Sequence, residues 1–219
     1  MDRKLPLILT VLLSGCIAFT LAVYFFRVFP FDLTIERVFE AKNNPAASAF
    51  MGAVSIPGDG EVPFVLVFAA AAFFAFGKRM LEAVFVLATI SSIALAGVLK
   101  VLIGRPRPPG AIPDPSGFLH SFSQYSYPSA HVLFFVVFFG FLAFLAWKWG
   151  KGGVRWSIIS IDAALIVLIG PSRLYLQEHW ASDVIGGYII GVFLLLFLVL
   201  LYQVAAERMS RGSEGRRDP

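Results

Sequence analysis

The chain has 219 residues, of which 58% are hydrophobic and only 15% charged. A soluble globular domain carries about 25% charged residues, so composition alone excludes a water-soluble fold and points to a membrane protein. The formal net charge of +4 carries less meaning than where the charges fall, and no nucleic-acid partner is expected.

Six apolar runs, at 5–26, 62–77, 80–103, 129–147, 154–176 and 181–205, approach the roughly 20 residues a transmembrane helix needs. They predict an all-α, polytopic six-helix bundle. The first run is too long for a secretory signal core and ends in no small-residue cleavage pattern, so a retained anchor is expected. It also holds the single cysteine, Cys16, which reads as a small buried apolar residue.

Between the first two spans, "FDLTIERVFEAKNNP" places Phe31, Ile35, Val38 and Phe39 at helical spacing, with Glu36, Arg37 and Glu40 between them. This predicts an amphipathic helix on the membrane surface, ended by Asn43, Asn44 and Pro45. "SIPGDGE" then reads as a turn before a short, alanine-rich second span that starts at or before Pro63. One domain over 1–207 and a polar, irregular tail over 208–219 complete the organisation.

An even number of spans puts both termini on one side. Of the 18 Lys and Arg, eleven fall on the side of the termini: Arg3, Lys4, Lys78, Arg79, Lys148, Lys151, Arg155, Arg208, Arg211, Arg216 and Arg217. The other seven are Arg27, Arg37, Lys42, Lys100, Arg105, Arg107 and Arg173. The positive-inside bias then makes the termini cytoplasmic.

Three segments on the outward side carry polar residues that a plain bundle would not need. In "KVLIGRPRP", Lys100 ends the third span and Arg105 and Arg107 follow. Each proline disfavours helix in the arginine before it, so the backbone is extended and the guanidinium groups are held. Arginine suits bidentate phosphate contacts and lysine a point-charge contact. Snorkelling toward lipid headgroups would explain the same cations. In "YPSAHV", Ser129, Ala130 and His131 open the fourth span. A helix N-terminus there is an anion site, or Ser129 is only its cap.

In "SRLYLQEHWASDV", Ser172 and Arg173 end the fifth span and His179 and Asp183 open the sixth. Four residues apart, the last two share a helix face, and a carboxylate beside an imidazole supports attack or proton transfer. Glu178 points elsewhere on such a helix. Together the segments supply Lys100, Arg107 and Arg173 as cations, two histidines and a carboxylate. That set matches phosphoryl transfer: cations for phosphate oxygens, a nucleophile, and a proton donor for the leaving group. No acidic cluster is placed to hold a metal, so no metal and no cofactor are expected. His120 reads as a loop histidine. Asp162, inside the fifth span, fits local polar packing as well as function and stays outside the site.

With these segments in view, the chain resembles the type 2 phosphatidic acid phosphatase (PAP2) family. That family's signature is Lys-x6-Arg-Pro, then Pro-Ser-Gly-His, then Ser-Arg-x5-His-x3-Asp. Here these run from Lys100 to Pro108, Pro128 to His131 and Ser172 to Asp183, and the likeness covers the third to sixth spans. The resemblance implies His179 as nucleophile, forming a phosphohistidine, with Asp183 orienting it and His131 as general acid. It implies Lys100, Arg107, Arg173, Ser129 and the backbone at Ala130 as phosphate ligands. Arg105 lies outside the signature. Ala130 replaces the family's glycine, which matters if that position requires a left-handed backbone.

The implied activity is metal-independent hydrolysis of a lipid phosphate or diphosphate drawn from the bilayer, at the outer face of the cytoplasmic membrane. Undecaprenyl diphosphate is placed first among substrates, then phosphatidylglycerophosphate and phosphatidic acid. A phosphotransferase of the same family would use the same residues. A non-catalytic transporter of phosphate-bearing ligands would need the cations but not a His179–Asp183 pair in register.

Overall fold

The computed structural model describes residues 4–40, 44–111 and 124–214. His120, Lys42 and Asn43 lie outside them. The described elements are helices: α1 (Lys4–Phe26), α2 (Pro30–Glu40), α3 (Pro45–Ser55), a 3-10 turn (Ile56–Gly58), α4 (Val62–Phe76), α5 (Met80–Ala88), α6 (Ser91–Ile103), α7 (Ala130–Trp149), α8 (Gly152–Tyr175) and α9 (Ala181–Glu214). The all-α membrane architecture expected from the apolar runs is observed. Five stretches are long and apolar enough to cross a bilayer: α1, α5 with α6, α7, α8 and α9.

The second expected span has a more particular form. Its helix α4 is only 15 residues long, about 22 Å at 1.5 Å per residue, and falls short of a 30 Å hydrocarbon core. It is preceded by α3, a helix that the sequence pattern left unassigned, and the two are bent by 56° at a break of a few residues. Pro57 removes a backbone donor there, and Gly58 and Gly60 loosen the chain, so one straight helix cannot form. Asn44 starts α3 as its cap, accepting from the Ala46 and Ala47 N–H groups through its side chain. Two boundaries also differ from expectation. The span over 80–103 is interrupted between Ala88 and Ser91, where the Thr89 and Ser92 hydroxyls donate to carbonyls three residues back. The last helix continues to Glu214, into the stretch expected to be irregular.

Helix α7 is the centre of the bundle. Phe134, Phe135, Phe138, Phe139 and Phe141 are all buried on it, and it packs against α6, α8 and α9. Its outward end lies close to α9 because α9 has glycine there. A Cβ on Gly187 would come within 3.0 Å of both the Ser129 carbonyl and Val132, tighter than packed cores accept. The outer helices α1, α4 and α8 instead expose Val11, Phe25, Phe68, Phe73, Val154 and Val167, the side chains that a lipid environment would cover.

The amphipathic helix between the first two spans is present as α2. Its apolar positions are as expected, but Asp32, in its first turn, is buried. That residue ties α2 to the start of α9 and so belongs to the site.

Candidate active site

The third outward segment is organised by the start of α9. Asp183 is the third residue of that helix, and its Oδ2 accepts the backbone N–H of Trp180 at 2.9 Å. This is the back half of a capping box. His179 stands ahead of the helix rather than on its first turn, so it meets Asp183 through the capping turn and not along a helix face. Its Nδ1 is 3.4 Å from Asp183 Oδ2, close enough for an ion pair but not aligned for a hydrogen bond. Both side chains are buried.

Arg105 holds the other oxygen of Asp183. It donates to Asp183 Oδ1, to Ser182 Oγ at 2.7 Å and to Asp32 Oδ2 at 2.7 Å. Its Nε donates to the Arg27 carbonyl. Asp32 in turn accepts from the Ser182 backbone N–H (2.8 Å) and hydroxyl (2.7 Å). Arg105 thus links α2 to the start of α9 through two carboxylates, and all three side chains are fully buried. The extended Arg-Pro backbone expected from the sequence makes this possible. Pro106 bridges to Tyr125, the Ser126 N–H donates to the Arg105 carbonyl at 2.9 Å, and Trp180 Nε1 donates to the Pro106 carbonyl at 3.0 Å.

The candidate phosphate cations converge on the same place. Lys100 is buried at the end of α6 and donates to the Tyr125 carbonyl. Arg107 donates to the Glu178 carbonyl at 2.8 Å. Arg173, in the last turn of α8, donates to Ser55 Oγ at 2.9 Å and to the Glu178 carboxylate. That carboxylate also lies 3.9 Å from Arg107. Glu178 therefore faces the cations, contrary to the expectation that it points away. The reason is local: α8 ends at Tyr175 and α9 begins at Ala181, so Glu178 sits in a turn with no helix geometry to direct it outward. Burial first, and then the charges of Arg107, Lys100, Arg173 and His131, push the His179 pKa well below its ordinary value. The imidazole is consequently neutral at neutral pH.

Ser129, Ala130 and His131 open α7 as expected, but Ser129 does not act as a side-chain cap. Its N–H donates to the Asp183 carbonyl at 3.1 Å, so that donor is committed. Its hydroxyl is buried with no hydrogen-bond partner. A buried polar atom in this condition calls for a ligand or water. Ala130 is the first helical residue, and positive φ among non-glycine residues occurs only at Arg27, Lys78 and Gln177 among the described residues. Nothing at this position needs glycine. His131 meets a carboxylate from outside all three motifs, with its Nε2 2.7 Å from Asp59 Oδ1.

The structure thus brings together Lys100, Arg107, Ser129, Ala130, His131, Arg173, His179 and Asp183. It does not bring in Asp162, which lies 11 residues before Arg173 on α8, about 16 Å along the axis. Asp32, Ser55, Asp59 and Ser182 also touch the site residues and were not singled out from the sequence. The only signal for Asp32 was an acidic residue set among the apolar positions of α2. For Asp59 there was none beyond a turn-forming composition.

A family model for the PAP2 superfamily matches residues 81–207. Among curated relatives, the chain is 35% identical over 92 residues to a putative undecaprenyl-diphosphatase, YbjG, of Escherichia coli K12, covering 42% of each chain. It is 34% identical over 104 residues to phosphatidylglycerophosphatase B of Bacillus subtilis, covering 47% of this chain and 48% of the relative. It is 31% identical over 114 residues to an undecaprenyl-diphosphatase of Sulfolobus acidocaldarius, covering 52% and 51%. These matches span about half the length of each relative.

Among solved structures, a PAP2-type phosphatidylglycerolphosphate phosphatase from B. subtilis aligns over 91% of this chain and 96% of its own, with a TM-score of 0.74 and 23% identity. LpxE of Aquifex aeolicus aligns over 80% and 98%, with a TM-score of 0.57 and 22% identity. At these identities the two structures speak to the fold. With more than half of its length matched by the family model, and its three signature segments gathered at one end of a helical membrane bundle, the chain is a multi-pass membrane protein that belongs to the PAP2 superfamily.

Proposed function

We propose that the protein is a lipid phosphatase that hydrolyses a phosphate or diphosphate on a membrane lipid through a phosphohistidine at His179. The observation that carries this reading is the surroundings of His179. It is a buried imidazole, facing a carboxylate on one side, whose charged form is opposed by Lys100, Arg107 and Arg173. Such a histidine is an unprotonated nucleophile set among cations suited to phosphate oxygens.

In the first half-reaction, His179 Nε2 attacks phosphorus. The P–N bond forms as the bond from phosphorus to the leaving oxygen breaks, and His131 gives that oxygen its proton. Asp183 balances the positive charge that develops on the His179 ring. In the second half-reaction, water attacks phosphorus and His131 takes its proton. The P–N bond breaks, releasing inorganic phosphate and neutral His179. Lys100, Arg107 and Arg173, with the Ser129 hydroxyl and the first-turn N–H groups of α7, hold the phosphate oxygens throughout. Those three side-chain cations supply the charge stabilisation for which other phosphatases use metal ions, so the reaction proceeds without one.

The names of the relatives support undecaprenyl diphosphate and phosphatidylglycerophosphate as the first substrates to test, with phosphatidic acid beside them. The distribution of Lys and Arg supports cytoplasmic termini and a site at the outer face of the cytoplasmic membrane. The test is phosphate release by purified protein in detergent with EDTA present, beside a His179→Ala control, with acid-quenched trapping of labelled phosphoenzyme. Release and labelling by the wild type, and neither by the control, are expected. Folded wild type that releases no phosphate from any of the three lipids refutes the reading.

A further inference from the structure

The turn between α3 and α4 is a wall of the site that no signature motif supplies. Three residues tie it there. Ser55, at the end of α3, accepts from Arg173 Nη1 and shares a 2.6 Å hydrogen bond with Ser172. Gly58 lies against the His131 ring, so closely that a Cβ on it would stand 2.3 Å from His131 Cδ2. Asp59, the next residue, takes His131 Nε2 at 2.7 Å. The bend between α3 and α4 lays this turn over the start of α7.

The second histidine of the site therefore has a carboxylate of its own, as the first has Asp183. The consequence for proton transfer is specific. A histidine bonded through Nε2–H to a carboxylate is fixed in one tautomer and one ring orientation, and its other nitrogen exchanges the proton. Here that nitrogen is Nδ1. As an imidazolium, a ring fixed in this way gives the proton on Nδ1 to a leaving oxygen; the neutral ring left behind, still protonated on Nε2, takes one back at the same atom from water, without turning, and the Asp59 carboxylate supports the cationic form.

We infer that Asp59 is a positioning residue for His131: it holds Nε2 protonated so that Nδ1 serves as acid in the first half-reaction and base in the second. The site is then built of two carboxylate–imidazole pairs, His179 with Asp183 and His131 with Asp59. The bent second span belongs to it through Ser55, Gly58 and Asp59. This inference rests on the phosphatase reading above. Asp59 acts through His131 and touches no reacting atom, and because it is half exposed its contribution is smaller than that of a buried partner.

The test is a double-mutant cycle on phosphate release from labelled lipid, with wild type, Asp59→Asn, His131→Ala and the double variant. Thermal unfolding in detergent is followed alongside. Asp59→Asn is isosteric and is expected to lower kcat about tenfold with little change in KM, a fraction of the 10²–10⁴ that general acid catalysis supplies. In the His131→Ala background the same substitution is expected to cost nothing more. Independent, multiplicative losses would overturn the inference, since a merely structural Asp59 would matter whether or not His131 is present. An Asp59→Asn protein as active as the wild type, or more active, would overturn it as well, the latter by making the contact an obstruction. Folded wild type that releases no phosphate is a separate result. It removes the phosphatase reading and this inference with it.

Discussion

Replacing Arg105 by methionine tests whether the buried network under His179 is what holds the site. The guanidinium is fully buried and donates to Asp32, Ser182, Asp183 and the Arg27 carbonyl. Methionine fills most of its volume but leaves two fully buried carboxylates without a cation. Removing one partner of a single buried ion pair costs about 3–5 kcal/mol, and here one cation serves two acids. Arg105→Met should therefore lose at least about 3 kcal/mol, a large share of the 5–15 kcal/mol that holds a typical domain together. Unfolding in mixed micelles, followed by tryptophan fluorescence, reads this directly, because the Trp180 ring lies 5.8 Å from the guanidinium. Arg105→Lys keeps the charge but loses the fork that reaches several acceptors at once, and should fall between the two. In that folded variant Asp183 loses a fixed partner, and kcat should drop by about 10²-fold, the scale of a 1 Å misplacement. Arg105→Met protein within about 1 kcal/mol of wild type, with normal turnover, would show that the two carboxylates do not depend on Arg105.

Three further outcomes are expected. Glu178→Gln removes a carboxylate that faces both Arg107 and Arg173. At a partly exposed pair worth about 1 kcal/mol, inorganic phosphate should inhibit the variant at about fivefold lower concentration, read from inhibition curves. His179 sets a pH dependence whose sign follows from its depressed pKa. Below the unfolded value of about 6.5 the unfolded chain binds a proton that the folded site refuses, so stability falls as pH drops through 6.5 and below. The acid limb of kcat/KM should also lie below 6.5, and a limb at or above that value would count against a neutral nucleophile. Gly58→Ala drives a Cβ into the His131 ring. It should lower kcat with little loss of thermal stability, since the ring can swing aside only by leaving Asp59.

The signature residues were legible because each motif is short and local. Spacing alone put His179 near Asp183 and kept Lys100 and Arg107 on one stretch, and chain order put all three segments at the same end of the bundle. Glu178 was misread for a related reason. Local spacing was interpreted on an assumed helix, and the chain at 176–180 is not helical. Asp32 and Asp59 were not legible. Each is a single acid in an otherwise ordinary segment, and their partners Arg105 and His131 are 73 and 72 residues away. No local pattern encodes contacts made only when helices pack.

Charge accounting narrows that gap. Four cations reach the site: Lys100, Arg105, Arg107 and Arg173. An isolated buried cation is too costly to keep, yet the motifs contribute only Asp183 as a buried carboxylate, and Asp183 also faces His179. At least one further acid was therefore required from outside the motifs, and the outward segments between the first two spans were the place to look. The same accounting separates the roles of the cations. Arg105 is matched by two carboxylates with no exposure, one of them brought by α2, which fixes it as structure. Arg107 and Arg173 meet a carboxylate that keeps 27% of its side-chain surface exposed, and such a partner can be exchanged for a phosphate without stranding a buried charge. Arginines that sit in adjacent Arg-Pro pairs thus divide into one locked between buried carboxylates and one whose acidic partner stays partly exposed. The division is set by how deeply their acidic partners are buried.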